Sequence, residues 1–351
     1  MDRQELSFSS ATPENAHRAS RFEDSVQSFR AVMARRRGHR EHIIPFTGYA
    51  STTQVRVLCR VLLLKTRRNS KGTNRKVRGW RSFVGIPVAG ATVYASINGF
   101  NATLTADRGG VIDDVIPLEL TPGWHTISLT TEDSEPVTAQ IRVVDNHARI
   151  GVVCDIDDTV MVTALPRPFL AAWNSFVRDE HARRPVPGMA VLLERLSRDN
   201  PDAPIIYLST GAWNVAPTLN RFLRRHLYPK GPLLLTDWGP THDRWFRSGQ
   251  HHKRTNLHRL VTEFPHIRWV LIGDDGQHDE EIYGEFAAEY PDHVRAIAIR
   301  ELLTPEAILA GGRHHLDRTN NPLETPWVSA PNGAGLAQEL GQLGVLNVSS
   351  A

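Results

Sequence analysis

Three carboxylates crowd the end of one apolar run in this chain: Gly151-Val-Val-Cys154 leads directly into Asp155-Ile-Asp157-Asp158-Thr159. Like charges held within about 4–6 Å raise one another's pKa, so such a cluster is unfavourable unless a proton or a cation is shared among its members. Magnesium (Mg2+) is the natural counter-ion, because it prefers hard oxygen ligands and is commonly held by one or two carboxylates together with a substrate phosphate. Asp155 and Asp157 can then divide a phosphoryl transfer. One attacks phosphorus, while the other gives a proton to the leaving oxygen and later takes one from water.

Three further clusters follow. Ile205-Ile-Tyr-Leu208 ends in Ser209-Thr210-Gly211, whose hydroxyls and backbone N–H groups suit phosphate oxygens, as does the hydroxyl of Thr159. His251-His252-Lys253-Arg254 opens a predicted helix, where Lys253 can neutralise both nucleophile and phosphate as a compact point charge. Val270-Leu-Ile-Gly273 runs into Asp274-Asp275-Gly276-Gln277-His278-Asp279, again placing acids directly after an apolar run. Each cluster alone has a plain structural explanation: a strand-end Asp caps a helix, Ser-Thr-Gly makes a turn, a lysine lies on the surface. The order acid, hydroxyl, lysine, acid, with three clusters closing apolar strands, is the arrangement that a catalytic site requires.

The elements that must bring these residues together alternate from Arg149 onward. Predicted strands at Ile150–Cys154, Ile205–Leu208, Leu233–Leu235, Trp269–Ile272 and Val294–Ile299 are separated by helices at Gly188–Arg198, Thr218–His226, His252–Glu263 and Asp279–Glu289. That rhythm predicts an α/β fold, a doubly wound parallel sheet whose ligands bind at the carboxyl ends of its strands. Between Tyr49 and Val144 the texture is instead one of short β-branched runs, Thr53–Leu64, Ala91–Asn98, His125–Thr131 and Val137–Val144, with Asn98-Gly99 as a turn signal. These predict a small antiparallel β-sandwich with no catalytic constellation. The expected organisation is an N-terminal amphipathic helix and basic linker (1–45), a β-sandwich (46–146), the α/β domain (147–303) and a tail with a helix at Gly335–Leu343 (304–351).

Two N-terminal features bear on partners. Phe22, Val26, Phe29 and Met33 form one apolar stripe, expected to pack against the protein's own body. From Lys65 to Arg81 the chain is basic and free of acids, expected to be a solvated loop with affinity for anionic lipid as the alternative reading. Between Val162 and Pro187, Phe169, Trp173 and Phe176 fit equally a flap over the site or a helix core. Net charge is only +3 and no nucleic-acid reading module is visible, so nucleic acid is not an expected partner. The two cysteines, Cys59 and Cys154, lie in apolar runs and exclude a disulfide framework. No signal-type apolar segment opens the chain and no apolar run reaches membrane-spanning length, which predicts a cytoplasmic protein, peripheral to the membrane if its substrate is a lipid. The oligomeric state is not legible.

The residues resemble a family. Asp155-Ile-Asp-Asp-Thr159, Tyr207-Leu-Ser209 with Trp213, His252-Lys253, and Phe264-Pro followed by Leu271-Ile-Gly-Asp-Asp-Gly-Gln-His-Asp-Glu-Glu-Ile-Tyr283 are similar to the haloacid dehalogenase superfamily. Within it, they resemble the actin-patch-type phosphatidate phosphatase catalytic domain, over roughly 149–303, in its bacterial form with a β-rich domain upstream. The resemblance implies Asp155 as nucleophile forming an aspartyl phosphate, Asp157 as acid then base, Ser209 bound to the phosphoryl group and Lys253 stabilising its charge. It also implies a magnesium site made by Asp155, the backbone carbonyl of Asp157 and Asp274, with Asp279 anchoring Lys253 or a metal-bound water. Gly211-Ala212 and Asp275 depart from the fungal pattern, where Ser-Pro and a serine are usual. Asp275 fits either a ligand or a helix-starting acid, the latter being favoured. Three functions follow: a phosphatidate phosphatase, a phosphatase for a soluble phosphomonoester, and a non-catalytic lipid- or protein-binding scaffold.

Overall fold

A computed structural model of the chain describes residues 29–65, 85–162, 183–236, 242–276, 278–304, 306 and 325–347. Phe22 and Val26, the basic run beyond Lys65, and Phe169, Trp173 and Phe176 lie outside the described residues.

The N-terminal half is built from β1 (His39–Pro45), β2 (Gly48–Ala50), β3 (Gln54–Lys65), β4 (Ile86–Pro87), β5 (Thr92–Ile97), β6 (Phe100–Thr105), β7 (Val111–Pro117), β8 (Gly123–Thr130) and β9 (Val137–Val143). Where the sequence predicts a sandwich, hydrogen bonds connect all nine strands into one sheet, antiparallel except for the β2–β9 pair. The reason is β3. Over 12 residues it pairs with β1 and β2, and also with β4 and β7, so one strand serves every neighbour. Its alternation explains how: Val55, Val57, Cys59, Val61 and Leu63 enter the core of this sheet, while Leu58, on the opposite face, enters the core of the C-terminal half. The Asn98-Gly99 signal is a two-residue hairpin between β5 and β6, with φ of 48° and 83°, as a turn with two left-handed positions needs.

Residues 29–36 are helical and His39–Pro45 is a strand, although the sequence suggests only helix and linker there. Of the apolar stripe, only Phe29 and Met33 lie among the described residues. Phe29 is 66% exposed and Met33 only half-buried, while Ala34 makes the buried contact, because small side chains let the helical turn sit close to the sheet.

The C-terminal half contains β10 (Ile150–Asp155), β11 (Met161–Val162), β12 (Arg184–Pro185), α1 (Met189–Asp199), β13 (Ile205–Ala212), α2 (Ala216–Arg225), β14 (Leu233–Thr236), α3 (His242–Glu263), β15 (Arg268–Asp274), α4 (Asp279–Glu289), β16 (Val294–Arg300), β17 (Trp327–Ala330) and α5 (Gly333–Gln342). Six strands form a parallel sheet in the order β14-β13-β10-β15-β16-β17. They are near-continuous apolar runs, as strands buried on both faces must be. α3 contacts α4, and α1 contacts α5. β17, which the sequence does not signal, and α5, close to the expected helix at Gly335–Leu343, extend this unit into the tail. Asn332 caps α5 by accepting the Gly335 N–H at 3.0 Å.

The two halves share a core. Phe46, Tyr49, Leu58, Val111, Val144 and Ala148 belong to the same apolar cluster as the parallel sheet. Arg56 bridges Glu263 at 2.5 Å and Asp113 at 2.6 Å, and Arg259 reaches Asp113 at 2.8 Å.

Candidate active site

The chain leaves β10 to build β13 and β14 on one side, then crosses back to build β15, β16 and β17 on the other. The strand order reverses at β10, and sheets of this kind bind ligands beyond the carboxyl ends of their strands at such a point. All four sequence clusters meet there.

Lys253 is fully buried, its Nζ 2.6 Å from Asp155 Oδ1 and 2.5 Å from Asp279 Oδ1. It does not open its helix: α3 starts at His242, so Lys253 sits mid-helix and is set by these two carboxylates rather than by a helix terminus. Ser209 Oγ donates to Asp157 Oδ2 at 2.9 Å and accepts the Gly211 N–H at 2.9 Å. Asp274 Oδ1 accepts the Gly276 N–H at 2.8 Å, and Thr159 Oγ1 lies 3.5 Å from Asp274 Oδ2. Thr210 and Gly211 are steadied through their carbonyls, which Thr236 Oγ1 contacts at 2.9 and 3.3 Å.

Local sequence dictates these positions. Gly273 is required by close approach: a Cβ there would lie 2.6 Å from Asp279 Oδ2 and 2.8 Å from the Tyr283 ring. Asp158 takes a left-handed φ of 59°, which turns the chain sharply after Asp157, and its N–H is held by the Met161 carbonyl at 2.8 Å. Asp275 is not the start of a helix. Its Oδ1 accepts the Leu302 N–H at 2.8 Å and its own N–H donates to the Arg300 carbonyl, so it ties the acid loop to the end of β16.

Burial pushes the Asp155 carboxyl up to about 8, against the pull of Lys253 and with the added push of Asp279 and Asp157. Burial pulls Lys253 down, but Asp155 and Asp279 outweigh it, so its pKa is raised and it stays an ammonium. Carboxylate oxygens of Asp155, Asp274 and Asp279 lie within 4.8 Å of one another, and the buried Asp155 Oδ2 and Asp279 Oδ2 have no hydrogen-bond partner among the described residues. Hard oxygens, an excess of negative charge and two unsatisfied lone-pair donors fit a divalent cation. Asp279 joins this group; the Asp157 carboxylate is turned to Ser209, while the ligand expected of Asp157 is its backbone carbonyl.

Sequence reasoning gave no role to Phe46, whose ring stacks on Trp213 at 4.8 Å, nor to Arg300, buried at the end of β16. An arginine closing an apolar strand is the one signal that could have found the second.

A family and two relatives match parts of this chain. The family described as the phosphatidate phosphatase APP1 catalytic domain matches residues 150–301. An uncharacterized protein of Schizosaccharomyces pombe is 24% identical over 214 residues, 58% of this chain and 35% of that protein. Phosphatidate phosphatase APP1 of Saccharomyces cerevisiae is 27% identical over 153 residues, 43% of this chain and 26% of that protein. The chain thus spans about a third or less of the length of these relatives. Among solved structures, a carbohydrate acetylesterase from Xanthomonas citri covers 75% of this chain and 70% of its own at 8% identity, with a TM-score of 0.26, too slight a likeness to inform the fold. Residues 150–301, which hold all four clusters of the site, are thus similar to the phosphatidate phosphatase APP1 catalytic domain, and this likeness supports a phosphatase.

Proposed function

We propose that this chain is a magnesium-dependent phosphomonoester hydrolase of the haloacid dehalogenase type, working through an aspartyl phosphate on Asp155 and converting phosphatidate to diacylglycerol. The observation that carries the reading is the buried Asp155–Lys253–Asp279 triad, at 2.6 and 2.5 Å, beyond the carboxyl end of β10. A buried acid cluster gains a scaffold nothing, whereas a phosphoryl transfer needs all of it. The strand order, reversing at β10, supports a doubly wound haloacid dehalogenase-like sheet.

Lys253 holds Asp155 through Oδ1 and so fixes the carboxylate that attacks phosphorus. As the Asp155–phosphorus bond forms and the ester P–O bond breaks, Asp157 gives its proton to the departing alkoxide, which leaves as diacylglycerol. Asp157 then takes a proton from water, whose oxygen attacks phosphorus, and phosphate leaves as the Asp155 carboxylate is restored. Ser209 positions Asp157 and contacts the phosphoryl oxygens together with Thr159, Thr210 and the Gly211 backbone. Asp155, Asp274 and Asp279, with the backbone carbonyl of Asp157, would hold a divalent cation, which would supply charge neutralisation for the phosphoryl group. No helix among the described residues is long and apolar enough to cross a membrane, and in this reading the protein meets its lipid at a membrane surface from the cytoplasm.

The test is phosphate release with and without magnesium, from phosphatidate in mixed micelles and from an aryl phosphate, with Asp155→Asn as control. Magnesium-dependent release that favours phosphatidate and vanishes in the variant supports the proposal. Release from the aryl phosphate alone moves the substrate to a soluble phosphomonoester, and release from neither removes the enzyme reading.

A further inference from the structure

Arg300, the last residue of β16, is 2% exposed, yet its guanidinium is spent inside the protein rather than on a ligand. Nη1 donates to the Asp158 carbonyl at 2.6 Å, Nη2 pairs with Glu306 Oε2 at 2.7 Å, and Nε reaches the Pro331 carbonyl at 3.4 Å. Its backbone carbonyl accepts the Asp275 N–H at 3.1 Å, and it lies opposite Asp274 in the β15–β16 register. One residue thus spans both acid loops, the turn after Asp155, two strands away, and the turn after Asp274 on the adjacent strand. The carbonyl it grips is that of the left-handed Asp158, φ 59°. A non-glycine residue persists in that region only where its surroundings over-determine it. Releasing the carbonyl lets this turn relax toward an ordinary conformation and swings Asp157, its immediate neighbour, away from Ser209.

We propose that Arg300 is a positioning residue for proton transfer: by clamping the Asp158 carbonyl it holds Asp157 at the oxygen of the leaving group. The inference rests on the reading of Asp157 as acid and base, and makes a prediction that general loosening of the fold does not. A misplaced acid slows departure of an alkoxide, which needs a proton, far more than departure of a nitrophenolate, which does not.

The experiment compares kcat/KM, which reports steps up to departure of the alcohol and not the hydrolysis of the aspartyl phosphate that both substrates share, on phosphatidate in mixed micelles and on 4-nitrophenyl phosphate for wild type, Asp157→Asn, Arg300→Met and Arg300→Lys, each checked for folding by circular dichroism. Asp157→Asn is expected to lose about 100-fold or more on phosphatidate and much less on the aryl ester. Arg300→Met is expected to show the same split at about tenfold or more, with Arg300→Lys, which keeps charge and bulk but not the fork, in between. Glu306→Gln, at the outer end of the same guanidinium, leaves no cavity and is expected to move the ratio the same way by a smaller factor. If Asp157→Asn splits the two substrates while folded Arg300 and Glu306 variants keep the wild-type ratio, the clamp is overturned and the catalytic reading stands. If Asp157→Asn itself leaves the ratio unchanged, the assignment of Asp157 falls and the clamp with it.

Discussion

At the scale of single residues, the site is an electrostatic balance. Lys253 sits between Asp155 and Asp279 with all three side chains buried, so no member can be removed without stranding another. Lys253→Met is therefore expected to destabilise the fold by about 3–5 kcal/mol in chemical denaturation and to abolish turnover. Added magnesium should recover part of that stability if Asp155 and Asp279 hold it. Beside it, burial lowers His252 to about 4, opposed by a weak hydrogen bond from its ring to the Leu234 carbonyl. A histidine depressed in the folded state is neutral there while the unfolded chain takes up a proton, so stability is lost as pH falls from about 6.5 toward 4, by about 1.4 kcal/mol per unit. The difference in unfolding free energy between wild type and His252→Gln, followed over that window, isolates this contribution; a constant difference would contradict it. The residues that meet beyond β10 could be picked out at this scale, because side chains capable of chemistry stand out at the ends of apolar strands. Arg300 was not, because its partner Asp158 lies 142 positions away in sequence.

At the scale of elements, what matters is how closely they approach. Gly273 lets α4 bring Asp279 against the end of β15. Gly273→Ala is expected to push Asp279 off Lys253 and to cost activity and a few kcal/mol of stability together, as a small-to-large change in a packed site does. Unchanged activity and melting temperature would contradict this placement. The strands of the parallel sheet could be read directly because both faces are buried. Strands β1, β4, β6 and β7 could not: they are short or carry exposed polar side chains such as Asn101, Asp113 and Asp114. The first turns of α3 were invisible too, since Ser248 and Gly249 lie within them and depress helix propensity.

At the scale of the whole molecule, the β-rich half and the α/β half share one apolar core. Phe46, 3% exposed, crosses from the first to stack on Trp213, which directly follows the strand bearing Ser209 and Gly211. Phe46→Ala is expected to cost about 3–5 kcal/mol in a single unfolding transition and to lower kcat. Two separate transitions, with activity intact, would mean that the halves are independent. The sequence suggested separate units because it shows where each sheet begins and ends, but not that alternate faces of β3 serve two cores.

The claim at the centre of this account is that Asp155 becomes covalently phosphorylated during turnover. The direct measurement is acid quenching of the enzyme with magnesium and a phosphatidate bearing labelled phosphate, followed by mapping of the labelled peptide. Label on the peptide containing Asp155, lost in alkali and absent from Asp155→Asn, is the expected result. Turnover that proceeds undiminished in Asp155→Asn would contradict the account.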